Sequence, residues 1–196
     1  MPHEKFNLAH IDRLNDPARL EDTPPAVLWE ALGNPTPQTI IDVGAGTGLF
    51  ACQFAGLSPE ATVYAIDIEP AMVRWMLEHR SPALCSRLQP LLGKESAVPL
   101  TTGEADLVVM MNLHHELVDP HASYREALRL TRIGGQLLVV DYAPDGQEPG
   151  PPHHIRVAAD QIADVARAVG FDEVTVHPPL PRHSLITARK PVICSL

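Results

Sequence analysis

The tightest constraint in this sequence is a glycine-rich segment at residues 39–50, in which a short apolar run precedes three glycines at alternate positions. The run contains Ile40, Ile41 and Val43, and a helical pattern of apolar residues begins after the last glycine. This order is typical of a strand, a tight turn and a helix N-terminus, which together open a nucleotide-type α/β unit. Glycine at such a turn permits positive φ, close ligand approach to the backbone and close packing of helix on strand.

The spacing of Gly44, Gly46 and Gly48 distinguishes two classes of cofactor. A dinucleotide fingerprint would place its third glycine at the position of Leu49. The segment from Asp42 onward instead resembles the first motif of the class I S-adenosylmethionine-dependent methyltransferases, in which an acid, Gly-x-Gly-x-Gly and a helix follow one another. The resemblance implies that the cofactor is S-adenosylmethionine and that it is bound by Asp42, Gly44, Ala45, Gly46 and Gly48.

A second buried strand, at residues 61–67, ends in an acid 19 residues after Gly48. Such an acid can accept hydrogen bonds from both hydroxyls of a ribose. A strand also ends in an acid by chance, but the position of Asp67 relative to the glycines favours ribose binding. Ile68 follows, and its apolar side chain is suited to packing on an adenine ring.

The segment at residues 93–100 resembles the loop that contacts adenine in this family. It follows a weak strand at residues 87–92 in which Pro90 is tolerated at the edge of a sheet. The resemblance implies that Glu95 binds the adenine amino group. The sequence departs from the family pattern here, because Lys94 stands where relatives usually carry an acid.

A central strand at residues 105–112 leads into the triplet His114, His115 and Glu116. The resemblance places Asn112 where this strand meets the cofactor. Adjacent side chains on an extended or turning segment point apart, so the triplet does not converge on a metal ion as i, i+4 ligands do. The sequence therefore predicts no metal site. Either His115 or Glu116 faces the acceptor pocket, or the triplet has a capping or structural role.

The remaining pattern predicts the rest of an α/β fold. Strands are expected at residues 136–142, 171–176 and 184–188, with a helix at 160–169. The resemblance implies a doubly wound, Rossmann-like sheet of seven mostly parallel strands, with an antiparallel last strand and helices on both faces. We expect a methyltransferase domain at residues 36–196, preceded at 1–35 by an N-terminal extension and helix. This extension is expected to act as a flap, with a disordered tail as the alternative, and its Arg13 and Arg19 are within reach of a ligand.

A proline- and glycine-rich loop at residues 143–156 follows the fifth predicted strand. A loop of this length in a compact domain is usually a lid, a binding loop or disordered, and the lid interpretation is favoured here. It carries His153, His154 and Arg156 but almost no apolar anchor, so it is expected to be mobile without ligand. Arg156 suits an anionic acceptor, although a surface arginine paired with nearby acids is an equal alternative.

The amino-acid composition argues against some classes of binding partner. Acidic residues outnumber basic ones by 24 to 15, and the net charge of −9 argues against nucleic acid and anionic membranes as partners. No apolar run reaches transmembrane length, and the start lacks a signal-peptide pattern. Three widely spaced cysteines predict neither a metal cluster nor a disulfide framework. We expect a cytoplasmic monomer or homodimer.

The resemblance implies in-line transfer of a methyl group to oxygen, carbon or nitrogen of a small-molecule acceptor, similar to the group that includes quinone-biosynthesis enzymes. A hydroxyl or enol acceptor would require a base. The candidates are His115, which we favour, and Glu116, Tyr142, His153 and His154. One alternative is an S-adenosylmethionine-binding module without catalysis. The other is an NAD(P)-dependent oxidoreductase, which expects glycine at position 49.

Overall fold

The computed structural model describes residues 11–80, 87–145 and 150–192, and a seven-stranded sheet forms its centre. The strands are Thr39–Val43 (β1), Thr62–Asp67 (β2), Leu88–Leu92 (β3), Ala105–Met111 (β4), Thr131–Tyr142 (β5), Asp172–Val176 (β6) and His183–Arg189 (β7). Their order in the sheet is β3-β2-β1-β4-β5-β7-β6. Strands β1 to β5 pair in parallel, whereas β7 runs antiparallel to both of its neighbours. The predicted fold class is confirmed.

Helices cover both faces of this sheet. The α-helices in the described residues are Ile11–Leu14 (α1), Ala18–Asp22 (α2), Pro25–Ala31 (α3), Leu49–Leu57 (α4), Pro70–His79 (α5), Pro120–Leu130 (α6) and Ala159–Val169 (α7). Short 3-10 helices at His114–Glu116 and His153–Ile155 follow β4 and the loop after β5. None of the helices in the described ranges is long and apolar enough to cross a membrane.

The central strands are apolar on both faces because each face contributes to a separate hydrophobic core. In β1, Ile40 packs with one cluster and Ile41 with the other, as the two-residue period of a strand requires. The first cluster includes Phe54 of α4 and Met76 of α5, and the second includes Tyr124 of α6 with residues of α7. Helix α3 also packs into the first cluster. Both faces are thus closed, and the carboxyl ends of the strands form the accessible edge.

The end of α6 and the start of β5 differ from the prediction. The strand was expected at residues 136–142, but α6 ends at Leu130 and β5 begins at once with Thr131. The hydroxyl of Thr131 donates to the Ala127 carbonyl (2.7 Å) and so caps the helix. Gly134, with φ of 72°, lies in an irregular stretch of β5 where the pairing with β4 shifts.

The N-terminal part is more ordered than the sequence indicated. Helices α1 and α2 lie before residue 25, in the extension for which a disordered tail was the alternative. The hydroxyl of Thr23 donates to the Arg19 carbonyl (2.8 Å) and thereby closes α2. Helix α3 begins after Pro24 without a side-chain cap. In addition, Cys52 is disulfide-bonded, contrary to the expectation from cysteine spacing, and its partner lies outside the described residues.

Candidate active site

A cavity of about 650 Å³ opens at the carboxyl ends of β1, β2, β4 and β5. Its volume is typical of small-ligand sites, and open α/β sheets bind ligands at this edge. Of the ten site residues predicted from the sequence, nine contribute to the wall: Asp42, Gly44, Ala45, Gly46, Asp67, Ile68, Glu95, Asn112 and His115.

Gly48 is the predicted site residue that the cavity wall does not include. It precedes α4 with a left-handed φ of 68°, and a Cβ atom there would lie 2.9 Å from the sulfur of Met76. Since Met76 belongs to α5, the missing side chain allows α4 and α5 to pack closely. Gly48 thus has a packing role, and its predicted contact with the cofactor stays a prediction.

The glycine loop presents bare backbone to the cavity. Gly44 and Gly46 have φ of 75° and 56°, and a Cβ atom on Gly44 would lie 2.7 Å from Leu113. The Gly46 N–H donates to Oδ2 of Asp67 (2.8 Å), which fixes the loop to the end of β2. The loop is thus a rigid cradle that a side chain at either position would disturb.

Asp67 has a structural function that the sequence did not predict. Its Oδ1 accepts from the Glu69 N–H (2.9 Å), so one carboxylate tethers both the glycine loop and the start of α5. Burial raises the pKa of Asp67, and the backbone N–H groups of Glu69, Gly46 and Ile68 oppose this shift. Each oxygen keeps a second lone pair, so binding of a ribose remains a prediction compatible with these contacts.

Two buried oxygens in the wall have no hydrogen-bond partner among the described residues: Oδ1 of Asp42 and Oδ1 of Asn112. Burial, together with repulsion from Asp67, raises the pKa of Asp42 to about 7. Asn112 adopts a φ of 55°, which is unusual for a residue other than glycine. Because an unsatisfied buried acceptor is costly, these atoms fit a ligand that carries hydrogen-bond donors.

Glu95 lies where the cavity meets the loop that follows β3. Its Oε1 accepts from the Val118 N–H (2.7 Å), so the carboxylate also fixes the segment after the 3-10 helix of residues 114–116. Lys94 and Ile68 lie in the same wall, and the Ile68 side chain is 42% exposed. The predicted adenine contacts thus remain predictions for residues that do border the cavity.

On the other side of the cavity, His115 is held by a buried carboxylate. Its Nδ1 lies 2.7 Å from Oδ1 of Asp141, which is fully buried, and its backbone N–H donates to Oδ2 (3.2 Å). Burial alone would lower the pKa of His115, but the hydrogen bond and charge of Asp141, together with Glu116, raise it. We did not predict Asp141 from the sequence, although an acid near the end of a buried strand was the same signal that identified Asp67.

The neighbours of His115 point elsewhere. A ring nitrogen of His114 lies 2.9 Å from the Tyr124 hydroxyl in the core, and burial lowers the pKa of His114. Glu116 is half exposed, and its Oε1 is 3.7 Å from Nε2 of His115. Among the described residues, no group of three or more His, Cys, Asp or Glu side chains is arranged to hold a metal ion.

Tyr142 forms the floor between His115 and β7. Its ring centroid lies 5.8 Å from that of His115 and 4.4 Å from that of His183. Burial lowers the pKa of His183 to about 4, so its ring is neutral at physiological pH. The guanidinium of Arg182, the preceding residue, lines the cavity and pairs with Asp22 of α2.

The described part of the loop after β5 is anchored by Arg156, which the sequence analysis did not anticipate. The Nε of this buried arginine donates to the Pro151 carbonyl (2.8 Å), and its guanidinium lies over Tyr142, 5.7 Å from the ring centroid. It does not line the cavity, which weakens the expectation that it binds an anionic acceptor. His153 and His154 are exposed and also lie outside the wall, whereas Gly150, Pro151, Pro152 and Ile155 contribute to it.

The N-terminal segment covers the glycine loop. The Leu14 carbonyl accepts from the Thr47 hydroxyl (3.3 Å), and Arg80 of α5 donates both to the Thr47 carbonyl (2.8 Å) and to Oδ1 of Asn15. Leu14 lies 3.7 Å from the position that a Cβ atom of Gly46 would occupy. Residues 11–22 of the predicted flap thus border the cavity, and residues 1–10 lie outside the described part.

Residues 41–139 match the family model described as a methyltransferase domain. The chain belongs to this methyltransferase family. Among curated relatives, it is 31% identical over 145 residues to the malonyl-[acyl-carrier protein] O-methyltransferase of Hahella chejuensis, covering 69% of this chain and 51% of that protein. It is 30% identical over 116 residues to the ubiquinone/menaquinone biosynthesis C-methyltransferase of Dinoroseobacter shibae, covering 58% and 45%. The chain thus spans about half the length of these relatives.

A solved structure agrees in fold over nearly the whole chain. A S-adenosylmethionine-dependent methyltransferase from Aquifex aeolicus superimposes with a TM-score of 0.85 at 23% identity, covering 94% of this chain and 99% of that one. The predicted membership of a methyltransferase family is confirmed, and the fold agrees with that of an S-adenosylmethionine-dependent enzyme. The residues present fit S-adenosylmethionine, because Gly44 and Gly46, with positive φ, leave bare backbone in the cavity wall and the unpartnered oxygen of Asp42 suits an ammonium group.

Proposed function

We propose that this methyltransferase acts on a small organic acceptor whose nucleophilic atom carries a proton, and that His115 removes this proton with the support of Asp141. The observation that carries the proposal is the 2.7 Å contact between Nδ1 of His115 and a fully buried carboxylate in the wall of the cavity. A histidine held in this way has a fixed ring orientation and a defined tautomer.

The cofactor side holds its ligand through backbone and carboxylates. The bare backbone of Gly44 and Gly46 would receive the methionine portion, Asp67 the ribose hydroxyls and Asp42 the ammonium group. When bound, S-adenosylmethionine supplies an electrophilic methyl group on sulfur. The protein's own contribution is to align the acceptor with that group and to exclude water from the cavity.

The proton of neutral His115 is assigned to Nδ1, because that nitrogen faces the Asp141 carboxylate. Nε2 then carries a lone pair, and its distance of 3.7 Å from Glu116 exceeds that of a hydrogen bond. As Nε2 accepts the acceptor's proton, the imidazolium that forms is stabilised by Asp141. A raised pKa makes neutral His115 a stronger base.

This arrangement favours a phenolic or enolic hydroxyl as the acceptor. A carboxylic acid is already ionised at neutral pH and needs no base, whereas a phenol has a pKa near 10. Besides Glu116, the same cavity wall includes the apolar residues Leu117, Pro151 and Ile155, which suit a ring-shaped acceptor. The curated relatives, an O-methyltransferase and a C-methyltransferase by name, are compatible with either oxygen or enol-carbon transfer.

The test is a turnover assay that measures S-adenosylhomocysteine release with panels of phenols, enols, amines and carboxylic acids. We expect turnover with phenols or enols and its loss in His115→Gln, with cofactor affinity retained. Turnover restricted to carboxylic acids, or a wild-type rate in His115→Gln, would contradict the proposal that His115 acts as a general base. Cofactor binding without turnover of any acceptor would favour the non-catalytic module.

Cytoplasmic location, a monomeric or homodimeric state and the absence of nucleic-acid partners stay predictions.

A further inference from the structure

Arg19 of α2 is a half-buried cation in the cavity wall with most of its donors uncommitted. One Nη donates to the Leu14 carbonyl (2.6 Å), and the guanidinium lies 5.3 Å from the ring centroid of Phe50. Within the described part of the chain it forms no ion pair, and a guanidinium offers five N–H donors. Four of them therefore face either solvent in the cavity or a ligand.

Among the described residues, no carboxylate lies within ion-pair distance of Arg19. Burial lowers the pKa of Arg19, and nearby Arg13 adds to this, while the more distant charges of Tyr142, Asp42 and Asp16 oppose it. Arginine nevertheless stays charged in proteins. A partly desolvated cation without an ion pair is costly unless an anion binds it. The site thus calls for a negatively charged group.

The position of Arg19 indicates which ligand supplies that group. Arg19 contacts Phe50, in the first turn of α4, and Leu14, which lies over Gly46. It is therefore on the glycine-loop side of the cavity, and it interacts with Asp42, whose buried Oδ1 has no partner among the described residues. A cation with free donors and an anion with a free acceptor in one wall match the carboxylate and ammonium groups of an α-amino acid.

We propose that Arg19 binds the carboxylate of the methionine portion of the cofactor, with Asp42 facing its ammonium group. The proposal rests on the proposed function only through the identity of the cofactor. It makes the N-terminal segment part of the cofactor site, because α2 supplies a charged ligand group that the glycine motif lacks. The contacts of Arg80 with Asn15 and Thr47 then hold this segment in place over the loop.

Titration calorimetry without acceptor tests this with two probes. S-adenosylhomocysteine contains the amino-acid portion, whereas 5′-methylthioadenosine has the same nucleoside and sulfur but lacks it. We expect Arg19→Gln to weaken S-adenosylhomocysteine binding about 10- to 100-fold, as for a lost charged hydrogen bond, and to leave 5′-methylthioadenosine within about twofold. Arg19→Lys keeps the positive charge but lacks the paired N–H donors of a guanidinium, so it should recover part of the lost affinity for S-adenosylhomocysteine.

Arg74→Gln is the matched control, because it removes the same charge from an exposed arginine of α5 that does not line the cavity. We expect it to change the affinity ratio of the two probes by less than about threefold, since a solvated charge contributes little. An equal effect of both variants would indicate a general field and overturn the assignment of Arg19. The assignment would also be overturned if Arg19→Gln lost affinity for both probes to the same extent, or for neither. A wild-type protein that binds neither probe would instead contradict the proposed function.

Discussion

The cofactor side and the acceptor side of the cavity are constructed differently. On the cofactor side, bare backbone of the glycine loop is fixed by Asp67, and two acceptor oxygens, on Asp42 and Asn112, are left without a partner among the described residues. On the acceptor side, His115 is already paired with Asp141. One side is completed by its ligand, whereas the other is preorganised before any ligand binds. Substitutions should therefore affect affinity on the first side and rate on the second.

The largest expected effect is that of His115→Gln on turnover. Loss of a general base typically lowers the rate by about 10²- to 10⁴-fold. Because His115 lies on the acceptor side, the affinity for S-adenosylhomocysteine should change by less than about twofold. Steady-state kinetics measures the rate and calorimetry measures the affinity, both on the same preparation of wild type and variant. A large loss of cofactor affinity would remove the distinction between the two sides.

Asp67→Ala should have the next largest effect, on affinity. Loss of two charged hydrogen bonds to a ribose costs roughly 2–4 kcal/mol, or about 30- to 1000-fold in affinity. The variant should also unfold at lower temperature, because the N–H groups of Gly46 and Glu69 lose their acceptor. Asp67→Asn, which keeps one carbonyl oxygen, is the control for the tether. Unchanged cofactor affinity in folded Asp67→Ala would show that the ribose binds elsewhere.

Asp42→Asn links cofactor affinity to pH. With a pKa of about 7, Asp42 is protonated at lower pH, so wild-type affinity for S-adenosylhomocysteine should fall up to about tenfold per pH unit below 7. The variant should bind weakly at every pH and lack this slope. Calorimetry between pH 5.5 and about 8.5 measures both. An identical slope in the variant would assign the titration to another group.

The same substitution should stabilise the ligand-free protein. Between about pH 4 and 7 the native state keeps a proton on Asp42 that the unfolded chain releases, so the free energy of unfolding falls as pH rises through this window. Above pH 7 the native state bears the full cost of burying an ionised Asp42. Asp42→Asn should therefore be more stable than the wild type by on the order of a few kcal/mol. Urea unfolding at pH 5 and about pH 8 provides the comparison. Equal stability at the higher pH would contradict the buried, unpaired carboxylate.

The smallest predicted effect is a shift of the pH profile in Asp141→Asn. The base must be neutral, so kcat/KM rises with pH through the pKa of His115. Without the charge of Asp141, burial dominates and lowers that pKa, so the rising limb should move to lower pH, with a plateau reduced about tenfold. Cofactor affinity should be unchanged. A limb at the wild-type position would mean that Asp141 only fixes the backbone of β5 and of residue 115.

The predicted cofactor-side residues other than Gly48 border the cavity because each lies near the carboxyl end of a predicted strand. The glycine spacing predicted the first strand–turn–helix unit, and the family resemblance implied the sheet and the place of Asn112 at its edge. The acceptor side depends on a side-chain pair, His115 with Asp141, whose members are 26 positions apart and meet only because β4 and β5 are neighbours. Likewise, the anchoring of the loop by Arg156 depends on a ring from another strand, Tyr142.

The direction of β7 has an evolutionary consequence. In a parallel strand the residues at the ligand edge are the last ones, but β7 is antiparallel and brings its beginning there, so that His183 pairs with Tyr142. The turn at residues 177–182 therefore reaches the acceptor side without being part of the sheet. Apart from Arg182, which pairs with Asp22 of α2, its residues can vary without altering the register of any strand or any contact of the glycine loop. Acceptor choice can thus diverge among descendants of this scaffold while the cofactor site is inherited unchanged.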